Sequence, residues 1–294
     1  MTDWQALSAR ASFASHRLIG WTFWDPGGID RYAALGVPNG QGYYIATRAA
    51  PLAPAGDRAV IAAFGSIHPD FIRFSLGLAR QHTTFDDAYR VRNEAVTEGL
   101  DAYVPGLAPL LAGLAAPLWD ATDSLPLVGR VLFGAHADAP RWEHEPAVSA
   151  WLAVNCIREW RGDTHWAVLA DHDLSGVEAG LLHDAWMGYP GEWIPRSRGA
   201  DDHGVATAFE RLAARGLASQ RADGSWGVDE AGIALRDSIE AHTDRLCEAA
   251  WRHLGEERTV AFCETVEPHG PTLMARIDAT AGLNWMPAAR ERRR

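Results

Sequence analysis

The chain has 294 residues, about twice the length of a typical domain, so we expect two packed units or one large elaborated unit. Hydrophobic residues make up 47% of the chain and charged residues 22%, as in ordinary globular proteins with a real core. No apolar stretch reaches the roughly 18 residues that a membrane span needs, and the N-terminus lacks the basic and apolar segments of a signal peptide. We therefore expect a cytoplasmic protein without membrane contact.

Charge narrows the function classes further. The net charge is −11, so the overall field opposes binding to DNA and to anionic membranes. All 27 basic residues are arginine, which excludes a Walker A lysine, a Schiff-base lysine and a lysine general base. Cys156, Cys247 and Cys263 form neither a disulfide framework nor a CxxC metal site. The basic tail at 290–294 is expected to be a solvated, disordered end.

Helical patterns dominate the first 172 residues. Residues 70–103 predict two helices, the first with Phe71, Phe74 and Leu78 as its apolar stripe. A short helix is expected within the Pro/Gly/Ala-rich stretch 104–130. A longer periodic helix covers about 147–170.

The segment after residue 173 has the clearest local signals. Ser175 and Glu178 have the spacing of a capping box that starts a helix. A second helix at about 203–216 ends at Gly216, and the turn at 222–225 predicts a β-hairpin. A long helix from about residue 230 to 254 follows. Two helices, a hairpin and a helix in this order are typical of a winged helix.

These patterns divide the chain into four parts. Residues 1–146 are predicted to form a mostly helical N-terminal domain, and residues 147–172 a connecting helix. The winged-helix domain is placed at 173–262 and a C-terminal extension at 263–294.

A winged helix suggests a DNA reader that places residues 203–216 in the major groove. Its charge argues against this use, because residues 201–254 contain ten acidic residues and six arginines. Asp223 also stands at the predicted wing tip, where an arginine would favour the minor groove. DNA is therefore the less favoured partner.

The densest polar cluster lies between Ile157 and His165. On a helix, steps of three and four residues bring to one face a set that begins apolar and continues with two arginines and a histidine: Trp151, Val154, Arg158, Arg161, His165 and Val168. Such a face can offer a fork of donors to a carboxylate or phosphate, with His165 as acid or base. Asp163 is two residues from His165 and cannot face it on a regular helix. The alternative is structural, with the arginines paired to buried carboxylates between domains.

Glu240 and Asp244 are the natural partners of these arginines. They are four residues apart on one face of the last predicted helix, so they repel each other unless a cation compensates. The two carboxylates either hold an acid/base proton or form a salt-bridge cluster with Arg158 and Arg161.

Aromatic residues with polar neighbours gather near the N-terminus. His16 precedes Trp24, Tyr44 precedes Arg48, and the chain holds 13 tryptophans. Mostly apolar pockets with a few placed polar groups are how small ligands are held, although each single tryptophan is better explained as core than as pocket. The chain contains no GxSxG, HExxH, CxxCH or GxGxxG motif, so we expect neither a cofactor nor a metal.

Three motifs resemble those of an actinobacterial family of helix-turn-helix, MarR-like proteins of about this length. They are Arg-Ala-Ala-Pro-Leu at 48–52, Arg-Gly-Asp-x-His at 161–165 and Glu-Ala-His-Thr-Asp at 240–244. The resemblance covers nearly the whole chain. It implies a mainly α (α+β) fold, in which a helical N-terminal domain packs on a C-terminal MarR-like winged-helix domain.

The sequence thus predicts a small-molecule site between the N-terminal domain and the winged helix. The candidate catalytic residues for cofactor-independent acid/base chemistry on an anionic or aromatic metabolite are His165, Glu240 and Asp244. The candidate substrate-binding residues are His16, Trp24, Tyr44, Arg48, Arg158 and Arg161. The alternative function is a ligand-responsive MarR-like transcriptional regulator. A homodimer is left open in both cases.

Overall fold

The computed structural model describes residues 2–293, which form 17 α-helices and one two-stranded antiparallel sheet. The helices are α1 Trp4–Gly20, α2 Pro26–Ala34, α3 Tyr43–Ala49, α4 Asp57–Ala63, α5 Pro69–His82, α6 Phe85–Tyr103, α7 Leu107–Ala112, α8 Ala115–Asp123, α9 Val131–Ala137, α10 Pro146–Asp171, α11 Gly176–Met187, α12 Trp193–Ser197, α13 Asp202–Ala214, α14 Glu230–Leu246, α15 Glu248–Leu254, α16 Glu256–Val266 and α17 Gly270–Thr280. The strands are β1 Ala218–Gln220 and β2 Trp226–Val228. Short 3-10 helices lie at Trp21–Trp24, Pro38–Gly40, Ala53–Ala55, Glu267–His269 and Pro287–Ala289. The mainly α fold class is confirmed.

Most helices form one helical body around α10. This helix runs for 26 residues, and every residue from Val148 to Trp160 is buried. A helix that is buried on all sides must be surrounded by others, and α1, α7, α8 and α9 pack against it. The largest core, which includes Trp21, Trp151 and Trp251, is built around this axis. No helix in residues 2–293 is both long enough and apolar enough to cross a bilayer.

The two helices predicted at 70–103 are α5 and α6, but the apolar stripe predicted for α5 lies on the wrong face. Phe71 and Phe74 are 56% and 52% exposed, whereas Ile72 and Leu76 fill the core. Both sets obey helical spacing, so periodicity alone does not select between them. The exposed pair instead lines the cavity described below.

The winged-helix unit consists of α11 to α14 and the β1–β2 hairpin. The predicted capping box begins α11, with Ser175 Oγ accepting from the backbone N–H of Glu178 and the Glu178 carboxylate accepting from that of Ser175. Gly216 follows α13 with φ of 70°, a left-handed conformation that favours glycine. Phe209 stacks on Trp226 in the small core of this unit, their ring centroids 5.7 Å apart. The order of elements is the predicted one except for the short helix α12, which lies between the two predicted helices.

The long helix predicted at 230–254 is broken, and the chain changes core at the break. Cys247 separates α14 from α15, because its N–H bonds to both Thr243 O and Asp244 O and tightens the last turn. From Cys247 onward the buried side chains, among them Trp251 and Phe262, join the core of the helical body. The packing therefore turns from the winged-helix unit to the helical body near residue 246, and the predicted domain bounds stay a prediction. A one-residue break leaves the helical period intact, so the sequence pattern continues across it.

The C-terminal segment is exposed at 291–293, as its charge predicts, but it is hydrogen-bonded to the rest of the protein. Beyond α17 it crosses back to the winged-helix unit, where Arg293 N donates to Met187 O at 3.0 Å. Arg292 Nε donates to Trp186 O at 2.8 Å, and the Arg292 guanidinium lies over the Trp186 ring. We call residues 285–293 the C-terminal strap. The arginines of the strap bind backbone and aromatic groups that local composition does not reveal.

Candidate functional site

A cavity of about 1360 Å³ lies between the helical body, the winged-helix unit and the C-terminal strap. It is larger than the roughly 300–1,000 Å³ of ordinary small-molecule sites. Eight arginines line it against four carboxylates, so its wall is positive in a protein whose net charge is −11. The arginines are Arg48, Arg158, Arg161, Arg198, Arg236, Arg290, Arg292 and Arg293, and the carboxylates are Glu159, Glu240, Asp244 and Glu291.

All nine residues that the sequence proposed for the site line this cavity. They are His16, Trp24, Tyr44, Arg48, Arg158, Arg161, His165, Glu240 and Asp244. They come from α1, the following 3-10 helix, α3, α10 and α14. Their roles in binding or catalysis stay a prediction, whereas their shared location is a property of the fold.

Arg48, Glu159 and Arg158 form a buried triad on the floor of the cavity. Arg48 Nε donates to Glu159 Oε1 at 2.8 Å and its Nη2 donates to Oε2 at 2.6 Å. Arg158 Nη1 donates to the same carboxylate at 2.7 Å. Burial acts to raise the pKa of Glu159, but Arg48 and Arg158 hold that pKa well below its usual range. One carboxylate neutralises only one of the two arginines, so the triad carries a net positive charge.

A second cluster joins α10 to α14. Arg161 Nη2 donates to Glu240 and, at 2.8 Å, to Asp244 Oδ1. Arg236 Nη1 lies 2.6 Å from Glu240 Oε2 and supplies the second cation. Arg161 thus pairs with buried carboxylates of another unit, which was the structural alternative. Arg158 pairs instead with its neighbour Glu159. Burial acts to raise the pKa of Glu240, but Arg161 and Arg236 hold it well below its usual range.

His165 has a defined tautomer. Its Nδ1 lies 3.0 Å from Thr243 Oγ1, and that hydroxyl already donates its proton to Ile239 O at 2.8 Å. A hydroxyl has one proton, so Thr243 must accept from His165 Nδ1–H, which leaves Nε2 with its lone pair. Burial and the nearby Arg236 lower the pKa of His165 to about 3. His165 is therefore neutral, with a free basic nitrogen.

His16 and His183 are the other histidines of the cavity wall. Neither ring nitrogen of His16 has a hydrogen-bond partner among the described residues. Burial, followed by the charges of Arg158 and Arg161, lowers the pKa of His16 far below its usual value. Burial and then Arg236 and Arg198 do the same for His183. Both rings are neutral and can donate one hydrogen bond and accept another.

An aromatic wall adjoins the triad. Trp24 stacks on Tyr44 with ring centroids 5.4 Å apart and an interplanar angle of 20°. Trp285 of the strap lies 5.2 Å from Trp24 and also 5.2 Å from Trp193 of α12. Tyr44 accepts from Arg48 Nη1 at 2.9 Å, which ties the wall to the triad. The arrangement offers flat apolar surface beside a cluster of donors, as suits a planar ligand with an acidic group.

Sequence reasoning missed several residues of the site. Arg236 stands four residues before Glu240, so the helical spacing that selected Glu240 and Asp244 also pointed to it. His183 and Trp186 lie on α11 three residues apart, a weaker signal of the same kind. Arg198 lies in a loop after α12, and Trp285 lies in the strap. No local pattern brings these last two to the cavity.

Asp163 faces away from His165, as predicted. Its Oδ2 accepts from the N–H groups of Leu132 and Phe133, each at 3.0 Å, and so caps the first turn of α9 from a distant helix. Burial raises the pKa of Asp163 to about 6. Asp163 fixes α9 against α10 and takes no part in the cavity.

Metal ligation finds no support in the geometry of residues 2–293. No group of three or more His, Cys, Asp or Glu side chains among them is arranged to hold a metal ion.

Two arginines at the C-terminal end of α13, on the winged-helix surface, are engaged by the protein itself. Arg211 of α13 donates to Glu178 at 3.1 Å, and Arg215 donates to the backbone oxygen of His172 at 3.0 Å. At the wing tip, Asp223 accepts from the N–H of Ser225 at 3.0 Å. Phosphate contacts supply most of the affinity for DNA, so these two arginines would have to leave their partners before they could contribute to it.

Comparison with known proteins supports the fold. No curated protein and no solved structure matches the chain significantly. A family model described as a helix-turn-helix family matches residues 8–280, which include the helical body, the winged-helix unit and every residue of the two ion-pair clusters. The chain belongs to this helix-turn-helix family.

Proposed function

We propose that the protein binds a small anionic molecule with a planar, apolar part in the cavity between the helical body and the winged-helix unit. The observation that carries this proposal is the excess of arginines over carboxylates in the cavity wall of an acidic protein, eight against four, which remains an excess when Asp278 and Asp237, the partners of Arg290 and Arg292 outside the wall, are included. Charged groups on both sides of an ordinary domain interface would pair off one to one. The surplus and the flat Trp24–Tyr44 surface favour a ligand that supplies the missing negative charge.

The same site has the parts for acid/base chemistry without a cofactor. His165 Nε2 has a free lone pair because Thr243 accepts from Nδ1–H, and a bound anion that offsets the nearby arginines would raise the low pKa of this ring towards that of a general base. Asp244 is a second proton-accepting group, since burial raises its pKa although Arg161 acts against this. In an enzyme, His165 would take a proton from the bound molecule and the arginines would stabilise the resulting anion. In a binding protein, the same groups serve recognition alone.

Two dyes of nearly the same shape test the binding proposal. Anilinonaphthalene sulfonate is anionic, and phenylnaphthylamine has the same aromatic rings without the sulfonate. Both gain fluorescence in apolar sites, so both are titrated against the native protein. We expect the sulfonate dye to bind at least about 10-fold more tightly, the gain from one charge-assisted contact. Equal affinity, or binding of the neutral dye alone, would contradict an anion site.

A second candidate function is a ligand-responsive transcriptional regulator. The family match favours it, and α11 and α14 of the winged-helix unit supply His183, Arg236 and Glu240 to the cavity wall. A ligand there would contact the winged helix directly and bias its position. The test is binding to a fragment from upstream of the protein's own gene at low salt, with and without the sulfonate dye. Lack of binding to this fragment and to genomic DNA would exclude the regulator.

A further inference from the structure

Arg198 is held in place by the helical body although it belongs to the winged-helix side of the chain. Its backbone oxygen accepts from the N–H of His68 at 2.8 Å, next to the start of α5. Gly199 follows with φ of 96°, and a Cβ there would lie 2.8 Å from the His68 Cβ. The turn that carries Arg198 is therefore packed closely against the body, and the side chain is fixed towards the cavity.

The Arg198 guanidinium lacks a counter-ion among residues 2–293. Its Nη1 donates to Ser66 Oγ at 2.6 Å, and this is its only hydrogen bond to the described residues. No carboxylate of these residues lies within 4.0 Å of it, in contrast to Arg48, Arg158, Arg161 and Arg236. Burial lowers the pKa of Arg198, yet arginine keeps its charge at neutral pH. A partly buried charge with one hydroxyl partner is costly until an anion joins it.

The neighbours of Arg198 are suited to an oxyanion. His183 and Arg236 both lie against Trp186, at 5.8 Å between ring centroids and 4.8 Å from guanidinium to ring, and both line the same cavity as Arg198. Burial, followed by the charges of arginines that include Arg236 and Arg198, lowers the pKa of His165 and His183. The two rings are therefore neutral and add no repulsion to the cations. His183 can donate an N–H to an oxygen of the ligand, whereas His165 Nε2 can only accept.

We propose that Arg198, Arg236 and His183 form an oxyanion subsite at the winged-helix end of the cavity. This rests on the proposed function and fixes how the ligand lies. The acidic group is held at Arg198, the aromatic part lies against Trp24 and Tyr44, and an O–H or N–H of the ligand donates to His165 Nε2. The substrate class is an aromatic acid that also carries a hydrogen-bond donor.

The Arg198→Gln variant tests the subsite with the same two dyes. The expected result is a loss of affinity for the sulfonate dye of about 10- to 100-fold, as for a charge-assisted hydrogen bond, with less than about a 2-fold change for the neutral dye. Arg198→Lys keeps the charge and is expected to lose less than Arg198→Gln. Arg73→Gln, an exposed arginine of α5 that pairs with Asp70, is the matched control. Circular dichroism and melting temperature show whether each variant is folded.

A second variant protects the test against a folding defect. Ser66→Ala removes the hydrogen bond that orients Arg198 and leaves the charge of Arg198 in place. We therefore expect the sulfonate dye to bind about 3-fold more weakly and the neutral dye to bind with unchanged affinity. Equal effects on both dyes, or no effect of either substitution, would overturn the subsite while the cavity proposal stands. Failure of the native protein to prefer the sulfonate dye would instead overturn the proposed function itself.

Discussion

Removal of Arg161 is the most direct test of how the winged-helix unit is held to the body. In Arg161→Met, Glu240 keeps Arg236 as its partner. Asp244 loses its single salt bridge to the described residues. The side chains of Arg161 and Asp244 are only 12% and 13% exposed, so water cannot replace the lost contact well. Breaking one side of such a pair typically costs roughly 3–5 kcal/mol.

The matched control is Arg10→Met, which breaks a two-pronged pair with Glu267 at 2.7 Å on the surface. Those side chains are 41% and 40% exposed, so about 0–1 kcal/mol is expected. In a chain of this size each kcal/mol shifts the melting temperature by roughly 2–4 °C. Arg161→Met should therefore melt on the order of 10 °C lower than the native protein, and Arg10→Met within a few degrees of it.

The stability deficit of Arg161→Met relative to the native protein should depend on pH if its cause is electrostatic and not lost packing. Burial already raises the pKa of Asp244, and loss of Arg161 raises it further. A carboxyl whose folded pKa exceeds its unfolded pKa favours the folded state as pH falls, so the deficit of Arg161→Met should shrink between pH 7 and pH 5. Arg161→Met combined with Asp244→Asn should recover much of the loss at pH 7. Equal melting of Arg161→Met and Arg10→Met would refute the argument.

Three further outcomes follow from single contacts. Gly99→Ala is expected to destabilise the protein by about 1–3 kcal/mol, because its Cβ would lie 2.1 Å from the Trp21 ring. Gly77→Ala has open space at its Cβ and should stabilise the protein by about 0.5–1 kcal/mol. Urea unfolding measures both. Burial lowers the pKa of His165 to about 3, below its unfolded value, so the unfolded state takes up the proton first and stability falls as pH drops below about 6.5. Between pH 7 and pH 5, His165→Gln should lose about 1–2 kcal/mol less stability than the native protein. An equal loss in both proteins would contradict a neutral ring. Truncation after Ala289 removes part of the cavity wall, so the sulfonate dye should dissociate several-fold faster in stopped flow, and unchanged rates would mean that the strap does not restrict entry.

Features that depend on neighbours in sequence were predicted well. The capping box of Ser175, the end of α13 at Gly216 and the shared face of Glu240 and Asp244 each involve residues within four positions of one another. Such interactions follow from backbone geometry, so a short window of sequence contains their cause.

Features that depend on distant partners were not accessible in the same way. Glu159 binds Arg48, which is 111 residues away, and it also binds Arg158. The sequence offered no means to prefer Glu159 over Glu240 as the partner of Arg158. The prediction of the buried face of α5 failed because Phe71 faces a cavity that is completed by the winged-helix unit and the C-terminal strap. Arg198 lies in a loop whose position is set by His68, a contact that neither period nor composition encodes.

The return of the chain to the helical body at Cys247 makes the winged-helix unit an insertion. The body is built from residues before about 172 and after 247, so its core is complete only when the inserted unit has been traversed. An inserted unit is attached at two points instead of one, and Leu169 of α10 and Ile239 of α14 pack together close to those attachments. The hydrogen bond from His68 to Arg198 and the bond from the strap to Met187 add further attachments, so the inserted unit is held at several places along its length. A molecule bound in the cavity would contact both the body and the inserted unit, so its binding energy would add to the stability of their packing.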